Sequence, residues 1–323
     1  NISHDLFQRL QNYIDRLENH GFEVQTRRLC LGGMTIQQAD ELIDDTSLFV
    51  ALGSQTNEQA RDQFDDFLNG GNYHYNLDIT DGISLDDVQL LFDIINTNPA
   101  KTFNFTYSVN IPPSSPFFPS ATYERNGFSI GLQSPDLSVG CATLDEWFDN
   151  MAIVWHEIVD LFADEPDFLG IDSSVAPLFS GDSSFVELIE RLHLSFPQAV
   201  TTDVFTQISS FIKTQTPQAV GLCGLMFPCL EDAGLAHYYA DGEFSIERNL
   251  FLSLHSGLGI DTYPVGIDEK PERVLAVLQL LRALSNRYNK PLSARFISDG
   301  QAKIGDMTHL QNPYLQDVVV RRL

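Results

Sequence analysis

The residues in this sequence best placed to do chemistry are carboxylates that close apolar segments. Asp172 ends the run 168–172, Asp261 ends 257–261, and the pair Glu231-Asp232 follows the loop after 219–223. Each stands just before or within a loop, where open α/β sheets and α/β barrels assemble their sites. Gathered at neighbouring strand ends, such carboxylates could ligate a divalent cation, Mg²⁺ or Ca²⁺, or act as general acid and base. A single strand-end aspartate more often caps the next helix or holds a turn, so the argument for a site rests on the set. Arg295, at the end of the strand 292–297, can pair with one of these acids or grip an anionic substrate through its planar fork.

A second tier of residues could bind a ligand. Asn110, Phe117 and Phe118 belong to Asn110-Ile111-Pro112-Pro113-Ser114-Ser115-Pro116-Phe117-Phe118-Pro119, a loop whose prolines make it rigid and shaped. Ser173 follows Asp172, His255 precedes 257–261, and Lys303 and Asp306 lie in a glycine-bearing loop that could serve as a lid. His156-Glu157 fails the H-E-x-x-H zinc pattern because Asp160 stands where the second histidine belongs. Neighbouring Trp155 and Ile158 lie on a packing stripe, which puts Glu157 on a solvated helix face. No phosphate-binding glycine motif and no nucleophile elbow is present.

The formal net charge of −25 has no basic block to offset it, so nucleic acid and anionic membrane are poor partners and a small-molecule ligand is the expected one. Self-association into a homo-oligomer stays open. Four scattered cysteines neither frame a disulfide set nor match zinc spacing, and no signal peptide or span of membrane length is recognisable. The expected compartment is therefore the cytoplasm.

The elements that must position these residues follow a βα rhythm. Helical spacing of Leu6, Leu10, Ile14 and Leu17 ends at Gly21. A strand is predicted over 22–31, a helix over 35–50, a further helix over 59–68 and a short strand over 75–79. Ser84-x-x-Asp87 and Thr143-x-x-Glu146 are capping boxes, the second opening a helix with the stripe Leu144, Phe148, Met151, Trp155, Ile158 and Phe162. The run 103–110 alternates, with Phe103, Phe105, Tyr107 and Val109 on one face and Asn104, Thr106 and Ser108 on the other. Strands are predicted at 128–132, 168–172, 219–223, 257–261 and 292–297, with a long helix over 270–289. The simplest organisation is one α/β domain over 1–323. The chain opens directly on a helix, so a strand trimmed from its start is expected.

Six segments in order carry a family resemblance. They are Gly21-Phe22-Glu23-Val24-Gln25-Thr26-Arg27-Arg28-Leu29, the proline loop from Val109 to Pro119, Gly170-Ile171-Asp172-Ser173-Ser174 with Ala176-Pro177, Gly224-Leu225-Met226 with Pro228 and Leu230-Glu231-Asp232, Gly259-Ile260-Asp261 with Pro264, and Lys290-Pro291-Leu292-Ser293-Ala294-Arg295. Gly305-Asp306 with Asn312-Pro313-Tyr314 closes the match. The chain resembles the DUF711 family along essentially its whole length. The resemblance implies a fold akin to pyruvate formate-lyase and ribonucleotide reductase: a ten-stranded α/β barrel of two five-stranded halves, surrounded by helices. It implies no activity. Where the family's late loop carries a Pro-Gly-Lys-Lys-like run, Ser298-Asp299-Gly300-Gln301-Ala302-Lys303 keeps only Lys303.

Such a barrel raises the question of radical chemistry, for which Cys223 and Cys229 would be the cysteines. Gly305-Asp306-Met307-Thr308-His309 lacks the flanks of a radical-bearing glycine, and no glycyl radical is expected. Three functions remain. One is a small-molecule enzyme built on Asp172, Asp261, Glu231 and Asp232; another is a non-catalytic ligand-binding or sensing protein with a barrel pocket; the last is a subunit whose loops serve assembly.

Overall fold

β-branched and aromatic runs alternate with capped amphipathic stretches, and each kind folds accordingly. The computed structural model describes residues 2–43 and 47–323. Its strands are β1 (Arg28–Cys30), β2 (Phe49–Gln55), β3 (Tyr73–Asp78), β4 (Phe105–Val109), β5 (Phe128–Gly131), β6 (Phe168–Asp172), β7 (Gly259–Pro264) and β8 (Leu292–Ile297). Six of them form a sheet in the order β1-β2-β3-β4-β8-β7, and β5 pairs with β6. Every pairing is parallel except β4 with β8, where Ser108 faces Ser293 and Tyr107 faces Ala294. Isolated parallel bridges, Ile171 to Ala219, Leu225 to Gly257 and Pro228 to Asp261, connect β6 to β7 through residues 219–228. The result is a mixed α/β fold rich in parallel pairing.

Helices cover the outer faces of these strands. Thr143 and Glu146 cap each other's backbone amides at the start of Leu144–Leu161, whose Trp147, Met151, Trp155 and Ile158 are buried. Ser84 and Asp87 do the same for Leu85–Thr97. Under that helix the rings of Phe67, Tyr75, Phe105 and Tyr107 form an edge-to-face series, centroids 4.6 to 5.4 Å apart. His156 and Glu157 are exposed, on the solvated face expected for them. One hydrophobic cluster runs from Leu17 to Leu323. Among the described residues no helix is long and apolar enough to cross a membrane.

Three expectations need correction. The helix predicted over 35–50 is only Ile36–Asp40, closed by a Thr35–Gln38 capping box, and β2 begins at Phe49; residues 44–46 of that span lie outside the described residues. The run from Phe49 to Leu52 is apolar throughout, and periodicity alone cannot assign so short a run to helix or strand. The segment 219–223 makes a bridge but no strand. Finally, β7 continues to Pro264, so Asp261 sits inside its strand, and Arg295 is likewise interior to β8.

The other face of the sheet is polar although buried. Asn76, Thr106 and Ser108 point there from β3 and β4, as the alternation of 103–110 predicts. The proline loop lies against this inner face and satisfies it. Asn76 Nδ2 donates to the carbonyls of Pro119 and Ala121, each at 3.3 Å, while its Oδ1 accepts from Ser54 and Ser108 hydroxyls at 2.8 and 2.6 Å. Arg28 Nη1 donates to Pro116 O at 2.7 Å, and Ser115 Oγ donates to Asp172 Oδ2 at 2.8 Å. One loop is thus tied to β1, β3 and β6.

Candidate functional site

The carboxylates singled out by sequence divide into two kinds. Asp172 is fully buried, and its two oxygens accept from Ser115 Oγ, Leu222 N, Ser174 N, Ser174 Oγ and Cys223 N at 2.6 to 3.1 Å. Gly221 has a positive φ of 69°, and a Cβ there would meet Asp172 Oδ2 at 2.3 Å, so only glycine lets the backbone close on this carboxylate. Asp232 is equally buried. It accepts from Ser184 Oγ and Phe185 N, and as N-cap of Ala233–Ala240 it accepts from Gly234 N and Leu235 N. Both aspartates bind backbone, the ordinary role of an aspartate at a strand end or helix start.

Glu231 and Asp261 instead meet across a guanidinium. Arg295 Nε donates to Asp261 Oδ1 at 2.7 Å and Nη2 to Glu231 Oε1 at 2.5 Å, with all three side chains mostly shielded from water. The β7 register slips between Ile260 and Tyr263, and Thr262 has a positive φ of 40°. That bulge turns Asp261 toward Arg295. Below the guanidinium lies the Phe103 ring, 4.9 Å from its carbon to the centroid. Tyr314 stacks on both Phe103 and Phe179 and covers this end of the sheet. The four carboxylates expected to converge therefore supply only two to a common place.

Sequence reasoning missed two cationic or titratable groups on the same inner face. Arg28 donates to Thr26 Oγ1 at 3.0 Å and to Pro116 O, and stacks over Phe118 at 5.5 Å; its partners are neutral. Among the described residues it has no ion pair. His74 is buried between Phe49 and Phe118. Asn104 Nδ2 donates to Tyr73 O at 3.0 Å, which fixes the amide's orientation, and its second contact is His74 Nε2 at 3.2 Å. Nε2 must then accept, so Nδ1 carries the proton, and it has no hydrogen-bond partner. The available signal was the polar alternation His74, Asn76, Asp78 in an otherwise buried strand.

Charge and burial set the proton affinities here. Burial pushes the Glu231 carboxyl up to about 7, Arg295 partly offsetting that and Asp261 adding to it. For Arg295, burial works against the charge, but the Asp261 and Glu231 carboxylates outweigh it and hold its affinity above the ordinary value. Arg28 is lowered to about 10 by burial, with Glu231 opposing and Arg295 reinforcing. His74 falls well below its usual value through burial and the nearby guanidinium charges, so it is neutral.

The remaining candidates lie elsewhere. Asn110 donates to Ser285 and Asn286, bracing β4 on the helix Pro271–Tyr288. Ser173 Oγ is within 2.5 Å of Thr216 Oγ1. His255 ends the helix Ile246–His255 ahead of β7 and contacts Ser256; preceding the strand places it at the opposite end from Tyr314. Lys303 N donates to Asp306 Oδ2 on an exposed turn. Phe118 joins the site and Phe117 lies beside it. Burial pushes the Cys223 thiol up to about 11 and holds the Cys229 thiol well above its ordinary value. Among the described residues no group of three or more His, Cys, Asp or Glu side chains is arranged to hold a metal ion. Asp261 and Glu231 already surround a guanidinium, which repels a cation, so the donor set does not fit Mg²⁺ or Ca²⁺.

The family described as "Uncharacterised ACR (DUF711)" has a model that matches residues 74–311, nearly three-quarters of the chain. The chain belongs to the DUF711 family. The matched stretch holds Glu231, Asp261, Arg295 and the proline loop, while Arg28 and the segment 21–26 precede it. The chain is also similar to three archaeal proteins named UPF0210 protein. That of Pyrobaculum arsenaticum is 24% identical over 274 residues, 74% of this chain and 59% of the relative. That of Pyrobaculum aerophilum is 25% identical over 267 residues, 72% and 58%. That of Sulfurisphaera tokodaii is 23% identical over 248 residues, 67% and 54%. This DUF711 chain thus spans less than three-fifths of the length of these relatives.

Proposed function

We propose that the protein is an enzyme acting on a small anionic metabolite by proton transfer. Glu231 is the general acid–base, Arg295 and Asp261 orient it, and Arg28 holds the substrate's anionic group. The carrying observation is a carboxylic acid that shares a buried guanidinium with Asp261, within electrostatic reach of a second guanidinium that has no carboxylate partner among the described residues. An acid with proton affinity near neutral can both take and return a proton at working pH. Arg28, neutral in its protein contacts, keeps its charge for a ligand, and the aromatic rings of Phe103, Phe118 and Tyr314 supply apolar walls.

Solvent deuterium exchange, followed by proton NMR over a panel of 2-oxo and 2-hydroxy acids in D₂O, tests this. Exchange beside the carbonyl should rise through an inflection near pH 7 and fall by roughly 10²–10⁴ in Glu231→Gln. A panel without exchange, or exchange untouched in the variant, would reject the assignment. The internal neutralisation of Arg295 by two carboxylates favours a second reading, ligand binding or sensing without turnover. Tight binding of an acid that never exchanges would select it.

We also read the fold as the ten-stranded barrel of two halves. The continuous ladder β1-β2-β3-β4-β8-β7, carried through 219–228 to β6 and β5, supports this, as does its single antiparallel seam. One hydrophobic cluster supports a single domain. Free thiols at Cys30, Cys141, Cys223 and Cys229 support a cytoplasmic setting. The strongly acidic balance supports small-molecule partners over nucleic acid or membrane; a homo-oligomer remains compatible with it.

A further inference from the structure

A cavity of about 1240 Å³ opens between the N-terminal helix Ile2–Glu18, the segment 21–32 and the loop and strand 114–134, so that β1 and β5 both line it. One part of its wall is apolar and aromatic, while the rest carries charged residues such as Glu23, Arg125 and Asp167. Tyr13, Phe22, Val24, Ile130 and Leu132 line it while only partly buried, so they present hydrocarbon to open space. Folded chains seldom leave that much apolar surface unfilled without a use for it. Arg28 and Phe118 belong to its lining, the guanidinium over the ring at 5.5 Å, and the charge of Arg28 is felt at Glu231. Ser134 Oγ and Gln133 Oε1, both on residues of the same wall, are buried without a hydrogen-bond partner. Small-molecule sites commonly measure about 300–1,000 Å³ and combine such walls with a few polar groups.

We propose that this cavity binds the apolar body of a tailed organic acid whose carboxylate reaches Arg28. The inference rests on the anion-binding role given to Arg28 and adds the substrate class: an acid with a medium-length alkyl or aryl chain. Charge complementarity fixes the orientation, because Arg28 offers a guanidinium with neutral partners and the apolar part of the wall offers hydrocarbon. The acid's carboxylate then lies at Arg28 and its chain along the apolar part of the wall.

The test is isothermal titration calorimetry with hexanoate, octanoate, decanoate and 1-octanol. Affinity should climb by roughly fourfold per added methylene, the transfer free energy of one CH₂. Arg28→Gln should weaken every acid by at least about tenfold, the worth of a charge-assisted hydrogen bond, and leave 1-octanol unchanged. Arg28→Lys, which keeps the charge, should retain part of the binding, and circular dichroism confirms that each variant is folded. Leu132→Trp, which fills the chamber from its apolar wall, should weaken decanoate more than hexanoate. Affinity that is flat with chain length overturns the chamber, and decanoate binding untouched by Arg28→Gln overturns the head-group assignment. Absence of binding together with a concentration-dependent dimer that protects this face assigns the cavity to a second copy and overturns the proposal. Calorimetry reads binding without turnover, so tailed acids that bind but never exchange indict the acid–base role alone.

Discussion

Arg295→Met should lower the stability of this chain by about 3–5 kcal/mol, the cost of removing one partner from a buried charge group. The substitution leaves Glu231 and Asp261 facing each other with their shared counter-ion gone. The loss should depend on pH, with a sign that follows from Glu231. Its folded-state proton affinity, at about 7, lies above that of an unfolded glutamate. The folded chain therefore binds more protons between the two values. The stability tied to this group is full below the unfolded value and is lost as pH rises through about 7. Without the guanidinium the folded value climbs further, so the defect should be larger at pH 8 than at pH 5.5. Urea denaturation at those two pH values checks this. Adding Glu231→Gln to Arg295→Met should recover much of the loss at pH 8, since the neutral amide removes the repulsion. An equal defect at both pH values, or no recovery in the double variant, would refute the account.

Asp172→Asn is expected to be nearly as damaging as Asp172→Ala, about 3 kcal/mol or more in each case. This is unusual for a substitution that preserves shape. Both carboxylate oxygens accept from backbone N–H groups, Oδ1 from Ser174 and Cys223 and Oδ2 from Leu222. An asparagine must therefore point its NH₂ at a backbone donor in either orientation. Ser115 also loses its acceptor on one side, which frees the proline loop from β6. Thermal denaturation and amide hydrogen exchange of residues 114–122 measure both effects. An Asp172→Asn chain with wild-type stability would mean that the carboxylate is held for chemistry and not for its hydrogen bonds.

These two residues show how far the sequence could be read. Asp172 and Asp261 look alike in one dimension, each an acid after an apolar run. They part company because Asp172 meets backbone amides from a loop fifty residues away, and Asp261 meets a guanidinium brought by strand pairing. Local signals were faithful where the cause was local: the Thr143–Glu146 and Ser84–Asp87 boxes open their helices, and Gly21 has the positive φ, 87°, that a helix stop needs. Strands with flanking breakers, such as β6 and β8, were found at their observed limits. The start of β2 falls inside the predicted helix because Phe49 to Leu52 is apolar throughout, with Val50, Ala51 and Leu52 buried in succession, and so loses the alternation that marks a strand. Arg28 and His74 were overlooked because what makes them informative is tertiary. Only the loop placing Phe118 between them, and Asn104 fixing the imidazole's proton, separates them from ordinary strand residues.

The position of β8 between β4 and β7 bears on how the chain is made. During synthesis β4 emerges well before its neighbour on one side, Leu292–Ile297. Until then the nascent protein carries a strand with one aromatic and apolar face, Phe105, Tyr107 and Val109, and an unpaired row of amides and carbonyls. Such an edge recruits other strands, so chains halted before Leu292 should aggregate where the full chain does not. A strand made long after β4 is thus the one that closes the exposed edge of β1-β2-β3-β4.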